Sequence, residues 1–378
     1  MGGLLSNCWK AAKALATRRV DLECDRIPYR FEGVPLKKLL NWIRTEASIY
    51  VKPRQPWGWP THLQVEPTAH CDLRCALCPV SGDLGRPRGF MSLELYRRLI
   101  DEIGDYVFLL LLWDWGEPFL HPELDQMISY ARGRGMRVVC STNGHRLRDA
   151  ELAERTVRSG LDTLIFALDG ISQETYERYR RNGKLEAVLE GIRTVVAKKR
   201  ELRSETPLVN LRFIAMKYNE HEIPRLPDLA QSLGVDALTL KTLFPGHDCD
   251  PAQDQQNPFI PAEPHFRRFR YDEATLQRIR VKRNPCKVLW NNPVVHWDGG
   301  VCSCSFDFQR IRPFGDLNSA PLKQIWRGDA YGNSRREFRD HWEAMRLCRD
   351  CSYAYAGGNC ARETIAEAHF LRPDGSCA

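Results

Sequence analysis

The chain has 378 residues, 43% hydrophobic and 27% charged, which is ordinary globular arithmetic for two to three units of about 150 residues each. Its longest unbroken apolar run, Val107 to Trp113, is far below the ~20 residues that span a bilayer, so a membrane-spanning helix, disorder and collagen-like repeats are excluded. A net charge of +7, from 55 basic and 48 acidic side chains, permits a basic patch but calls for no nucleic-acid partner.

Residues 1–58 read as an N-terminal appendage. Leu4, Leu5, Cys8, Trp9, Ala12 and Leu15 share one helical face, with Lys10, Lys13, Arg18 and Arg19 among the others. The plain expectation is a helix docked on the body. The other is a basic amphipathic helix making peripheral contact with a membrane surface.

From 59 to 245 short β-branched or leucine-rich runs alternate with longer helical patterns, as βαβ units around a parallel sheet do. Strands are predicted at Leu63–Val65, Val107–Trp113, Arg137–Ser141, Thr163–Leu168, Leu208–Ala215 and Ala237–Lys241. The clearest helices are Lys184–Leu202, with Leu185, Val188, Leu189, Ile192, Val195 and Val196 at helical spacing, and Asp149–Ser159, which opens on an N-cap and closes before Gly160. Six such units predict an α/β fold, a partial TIM-like (β/α)6 barrel, with chemistry sought in the loops that follow strands.

Five prolines between Pro245 and Val281 break this rhythm, so 246–281 reads as a connector and 282–378 as a second, cysteine-rich domain. Within the connector, His247-Asp248-Cys249-Asp250 and the basic-aromatic run Arg267 to Tyr271 are expected to be solvated surface rather than a metal site or a nucleic-acid face.

Fourteen cysteines are the unusual count. A disulfide framework suits a short secreted scaffold, and this long chain shows no cleavable signal sequence, so metal is the first expectation. Cys8, Cys24, Cys140 and Cys249 are scattered, and the others fall in two groups. Cys71, Cys75 and Cys78 follow the first strand as Cys-x3-Cys-x2-Cys and gather three thiolates in one loop. Structural zinc takes four ligands, whereas three thiolates on a four-iron cluster leave one iron open to an outside ligand. The alternatives are zinc completed by His70 or a remote cysteine, or three buried thiols.

Later strand ends deliver small and polar groups to the same rim: Gly116-Glu117-Pro118, then Ser141-Thr142-Asn143-Gly144, then Asp169-Gly170. These suit a nucleoside, with carbonyls near Gly116 and Glu117 for an amino group and Ser141, Asn143 and Asp169 for ribose hydroxyls. Together with the cysteine loop, residues 61–245 resemble the radical S-adenosylmethionine superfamily. The resemblance implies that Cys71, Cys75 and Cys78 hold a [4Fe-4S] cluster whose open iron is chelated by the amino and carboxylate groups of the methionine moiety of S-adenosylmethionine. It places Gly116, Glu117 and Pro118 in the segment that contacts the methionine amino group, with Trp115 where the family has glycine. Ser141, Asn143 and Asp169 match positions near the ribose and carboxylate. Leu77 stands where an aromatic often contacts adenine, and Ala167 where a serine often precedes the aspartate. Arg212, on the fifth strand, suits the methionine carboxylate or a salt bridge within the barrel.

In the second cysteine group, Cys286 through Gly299 to Cys304 reads Cys-x12-Gly-x4-Cys, followed by Cys348-x2-Cys351. This resembles the SPASM and Twitch extensions of the superfamily and implies an auxiliary iron–sulfur cluster on Cys286, Cys304, Cys348 and Cys351. Zinc is the alternative occupant of such a tetrad. Full two-cluster domains continue differently from Cys351 to Cys360 and Cys377, and Cys302 has no place in the pattern.

The resemblance implies an enzyme that takes an electron from a flavodoxin- or ferredoxin-type donor, cleaves S-adenosylmethionine reductively and abstracts a hydrogen atom from substrate. An auxiliary cluster favours net oxidation. A small polar metabolite of sugar or aminocyclitol type is the expected substrate, a peptide or protein side chain the alternative, and a non-catalytic iron–sulfur or zinc protein the reading from another class. Oxygen-sensitive clusters and many thiols point to a reducing, cytoplasmic setting.

Overall fold

A computed structural model describes residues 2–246, 251–357 and 365–370, of which 2–8, 251–252 and 365–370 are described as backbone only. Cys249, Cys360 and Cys377, with the whole His247–Asp250 motif, lie outside the described residues. Among the described residues no helix is long and apolar enough to cross a membrane.

The chain opens with helix α1 (Gly2–Thr17), a hairpin of β1 (Val20–Cys24) and β2 (Ile27–Phe31), and helix α2 (Leu36–Val51). Six strands follow: β3 (His62–Val65), β4 (Leu109–Leu111), β5 (Arg137–Thr142), β6 (Thr163–Ala167), β7 (Leu208–Ala215) and β8 (Ala237–Thr242). They pair in sequence order and all parallel. Helices α3 (Leu93–Ile103), α4 (Leu124–Gly133), α5 (Ala150–Arg158), α6 (Gln173–Tyr179), α7 (Leu185–Glu201) and α8 (Leu226–Leu233) lie between them. This is the expected α/β partial barrel, with right-handed parallel crossovers the only economical way to connect it.

The strands are apolar on both faces because both faces are covered. Leu110, Val138, Leu164, Leu211 and Leu240 pack on the outer helices, in one core with Leu99, Ile128, Val157 and Ile192. Their neighbours Leu109, Val139, Ile165 and Ala237 face inward and meet Val20, Ile27, Tyr29 and Phe31. The N-terminal hairpin therefore plugs the lower end of the barrel. Tyr29 seals the joint by donating its hydroxyl to Thr163 Oγ1 at 2.8 Å. Sequence periodicity over 1–58 had no means of showing this, because the residues the hairpin packs against lie elsewhere in the chain.

Helix α1 differs from expectation. Trp9, Ala12 and Leu15 of the predicted docking face are exposed, and Ala14 makes the buried contact. The second strand is shorter than the apolar run that predicted it, because beyond Leu112 the chain turns out of the sheet toward Gly116. Helix α5 starts as read: Asp149 accepts from the amides of Glu151 and Leu152.

The sheet continues past the barrel on both sides. After α9 (Val288–Asn291), strand β9 (Val294–Val295) pairs parallel with β3, and β10 (Gly300–Cys302) and β11 (Gly315–Asp316) extend that edge. After α10 (Leu322–Arg327), α11 (Asp329–His341) and α12 (Arg346–Arg349), strand β12 (Ile365–Phe370) pairs antiparallel with β8. Both edges of the parallel sheet are thereby covered. The Arg267–Tyr271 run is not the exposed face expected of it. Arg268 and Phe269 are buried, with Arg268 donating to the carbonyls of Thr242 and Leu243 and to Ser352. Nearby, Arg278 makes a fully buried bidentate pair with Asp254.

Candidate active site

The loop after β3 carries Cys71, Cys75 and Cys78, all as free thiols, with Cys75 buried and the other two partly exposed. The loop is pinned at several points. Ala76 N and Arg74 N donate to the carbonyls of Tyr179 and Arg181, Ser81 Oγ donates to Cys75 O at 2.7 Å, and Asn143 Nδ2 donates to Asp72 Oδ1 at 2.6 Å. Arg180 reaches Cys75 Sγ at 3.8 Å and, on its other side, pairs with the fully buried Asp169 at 2.6 Å. Arg180 is the residue sequence reading missed here. It is five residues beyond Thr175 on an unremarkable helix end, and its role appears only when that turn folds against the cysteine loop.

Burial pushes the Cys71 thiol up to about 12 and the Cys78 thiol up to about 11, with Glu117 adding to the rise at Cys71 and Cys75 to that at Cys78. Thiols so placed keep their protons until a metal takes them. His70, the candidate fourth ligand, stacks on Phe90 with ring centroids 4.8 Å apart. Around a zinc ion at 2.3 Å, tetrahedral sulfurs stand ~3.8 Å apart. Among the described residues, neither cysteine group brings three sulfurs within 4.8 Å of one another. Among the described residues, the three thiols stand too far apart to share one zinc ion, and that spread fits the corner ligation of a cubane better.

Gly116 brings the next strand end against this loop. Its φ is +117°, and a Cβ there would lie 2.2 Å from Thr68 O. That approach lets Glu117 N donate to His70 O at 2.7 Å. The Glu117 carboxylate is turned inward: Oε1 accepts from Thr142 Oγ1 at 2.7 Å and Phe119 N at 3.1 Å, and Oε2 from Asn143 N at 2.7 Å. Burial pushes it up to about 7 despite these donors. Asp169 is likewise engaged, accepting from Ile214 N at 3.0 Å as well as from Arg180. Asn143 Oδ1 accepts from His145 N. Of the four predicted cofactor-contacting side chains, Ser141 alone lies on the lumen face of its strand without a hydrogen-bond partner among the described residues, whereas Glu117, Asn143 and Asp169 lock the rim loops to one another. Pro118, buried, starts the turn after Glu117.

The second cysteine group converges. Cys304, Cys348 and Cys351 lie near enough to Cys286 that a charge on any of them would raise its thiol, and the same holds for Cys348 with Cys304 and Cys351. Burial, with Cys351, pushes Cys304 up to about 12. Cys302 turns the other way, to lie 3.5 Å from His296 Nε2 in a fully buried network with Glu66 and Asp114. Glu66, Asp114 and His296 have metal-ligand spacing, but Arg86 holds both oxygens of Glu66, and Arg310 Nε donates to His296 Nδ1 at 2.8 Å. That leaves the proton on His296 Nε2, so the cluster is a hydrogen-bond network. It joins the two cysteine groups: Asp114 accepts from Ser305, and Trp115 Nε1 donates to Ser305 O at 2.6 Å.

A parallel α/β barrel with a three-thiol loop at the carboxyl end of its first strand, and a convergent thiol quartet beside it, defines a class of iron–sulfur enzyme. The profile of the radical SAM superfamily matches residues 65–229, and that of the iron–sulfur cluster-binding SPASM domain matches 286–352. The chain is 33% identical over 296 residues to Fe-coproporphyrin III synthase of Methanosarcina barkeri, covering 68% of this chain and 71% of that one. It is 25% identical over 350 residues to the AdoMet-dependent heme synthase of the same organism, covering 84% and 96%. The crystal structure of Streptococcus suis SuiB bound to S-adenosylmethionine shares the fold, with a TM-score of 0.57 at 14% identity over 83% of this chain and 76% of that one. The chain belongs to the radical S-adenosylmethionine superfamily. It is an enzyme whose cofactors are a [4Fe-4S] cluster, S-adenosylmethionine and auxiliary iron–sulfur chemistry in a SPASM domain.

Proposed function

We propose that this enzyme abstracts hydrogen from, and in net terms oxidises, a carboxylate-bearing tetrapyrrole presented at the mouth of the barrel. The observation that carries the chemistry is the single rim on which the three-thiol loop meets the strand-end loops of Glu117, Asn143 and Asp169. Cys71, Cys75 and Cys78 would hold the [4Fe-4S] cluster, which supplies reductive cleavage of S-adenosylmethionine to a 5′-deoxyadenosyl radical. Cys286, Cys304, Cys348 and Cys351 would hold the auxiliary cluster, which supplies an electron acceptor for oxidation. Residues 59–245 form the barrel unit in this reading, and 282–378 the auxiliary unit.

The chain's own residues bind, orient and exclude water. Gly116 allows the rim strand to approach the cysteine loop, and Pro118 sets its turn. Glu117, Asn143 and Asp169 hold the loops in register, and Ser141 offers a hydroxyl to bound adenosine. The hairpin plug closes the lower end, as a primary carbon radical requires.

For the substrate, two relatives named for iron tetrapyrroles, with most of their lengths covered, support this reading. It keeps the oxidation of a small molecule expected from the cysteine pattern and changes its kind. The test is anaerobic turnover of reconstituted protein with dithionite, S-adenosylmethionine and side-chain-deuterated Fe-coproporphyrin III. Deuterium should appear in 5′-deoxyadenosine as the porphyrin loses hydrogen. Formation of 5′-deoxyadenosine with unchanged porphyrin would remove the proposed substrate.

A further inference from the structure

Strands β7 and β8 send alternate residues into the lumen. Asn210 and Thr239 hydrogen-bond there at 3.1 Å, and one step nearer the rim stand two cations, Arg212 and Lys241. Both meet a single carboxylate, Asp25, delivered from below by the tip of the hairpin plug. Arg212 Nη2 donates to Asp25 Oδ2, and Lys241 Nζ lies 3.6 Å from Oδ1. Burial works to raise the Asp25 carboxyl, yet the two cations hold it below its ordinary value.

Two positive charges against one negative leave a surplus in a space largely shut off from water. The Arg212 side chain is 7% exposed, and its Nε is buried without a hydrogen-bond partner. A buried donor without an acceptor is unfavourable and asks for one. The Lys241 ammonium is held more loosely, 3.6 Å from Asp25 Oδ1, and at 26% exposed it is the least buried side chain of the trio. The hairpin tip is also strained. Asp25 and Arg26 have φ of +51° and +62°, where a two-residue turn of this kind usually carries Asn-Gly. Asp is readily accepted at the first of these positions, so the strain lies at Arg26, where glycine is usual.

We propose that Arg212 and Lys241, braced by Asp25, form a subsite at the lumen floor that seats one side-chain carboxylate of the tetrapyrrole. This rests on the substrate proposed above. The methionine carboxylate of the cofactor shares the chemistry, but in this superfamily it is bound at the open iron. The cysteine loop follows β3, and β7 and β8 lie four and five strands away in the sheet.

The experiment uses reconstituted holoprotein and two fluorescent probes, coproporphyrin III and its tetramethyl ester, with binding read by anisotropy. The wild type should bind the acid more than tenfold tighter than the ester. K241M should lose at least tenfold in acid affinity with the ester unaffected, K241R should recover most of the loss, and D25N should keep the preference for acid. Affinity for S-adenosylmethionine, measured by calorimetry, should change less than twofold in K241M. Loss of cofactor affinity in its place would assign the cations to the methionine carboxylate and overturn the subsite. So would unchanged acid affinity with a lowered Tm, which would make the trio only a strut for the hairpin. Equal wild-type binding of acid and ester would sink the subsite while leaving the substrate class standing. Binding of neither probe would remove both.

Discussion

Two residues carry most of the rim's precision, and each makes a sharp prediction. Gly116→Ala would place a methyl against Thr68 O in a backbone region that L-residues avoid. The cysteine loop or the Glu117 turn must then move. The expected outcome is a loss of at least 2 kcal/mol in urea unfolding, roughly the strain such positions carry, and iron incorporation at the first cluster reduced well below the auxiliary level. Glu117 accepts three donors with two oxygens, so Glu117→Gln sets an amide against the Asn143 N–H and should cost about 1–3 kcal/mol. Its pH behaviour follows from burial. With the folded carboxyl up at about 7 and its ordinary value at 4.5, the folded chain binds the proton more tightly. This favours folding fully below pH 4.5 and is lost as the pH rises through 7. Cluster-free wild type should therefore lose stability between pH 5 and pH 8, and the E117Q variant should lose less over the same interval. An equal loss in both would show that other groups set the slope. The cysteine spacing and the Gly-Glu-Pro were legible in sequence because each is local. The inward turn of Glu117, Asn143 and Asp169 was not, since their partners come from three separate loops.

At the scale of elements, the parts that escaped sequence reading are those made by long-range contact. The six parallel strands announced themselves as buried apolar runs between helical repeats, and α7 begins one residue inside its predicted start. The hairpin plug carries no such mark: its alternation of buried and exposed residues reads equally as any edge ribbon. Tyr29→Phe should cost about 1 kcal/mol through the lost bond to Thr163, and a value near zero would mean that the plug is held by apolar packing alone. The loop after the cysteines is tied to the end of β3 by Arg86 on Glu66, whose side chains are 4% and 0% exposed. Removing one partner of such a pair leaves a buried charge, so Arg86→Ala should destabilise by about 3–5 kcal/mol in denaturant unfolding. In the second cysteine group, replacing Cys348 and Cys351 together should preserve cleavage of S-adenosylmethionine while stopping product formation. Full turnover by that double variant would end the case for an electron-accepting role.

Across the whole molecule, one sheet organises everything. Its parallel centre builds the lumen, its first strand ends at the three-thiol loop, and its outer strands β9, β10 and β11 bring the thiol quartet to the same side through the Trp115–Ser305 contact. The division of labour between the two cysteine groups is the central claim, and electron paramagnetic resonance of the reduced, reconstituted protein tests it most directly. In the wild type, adding S-adenosylmethionine should shift the signal of one cluster only. In the C71A/C75A/C78A variant, the iron content should fall from about eight to about four atoms per chain, and the remaining signal should not respond to the cofactor. A cofactor-induced shift that survives in that variant would place the reactive iron elsewhere and contradict the account.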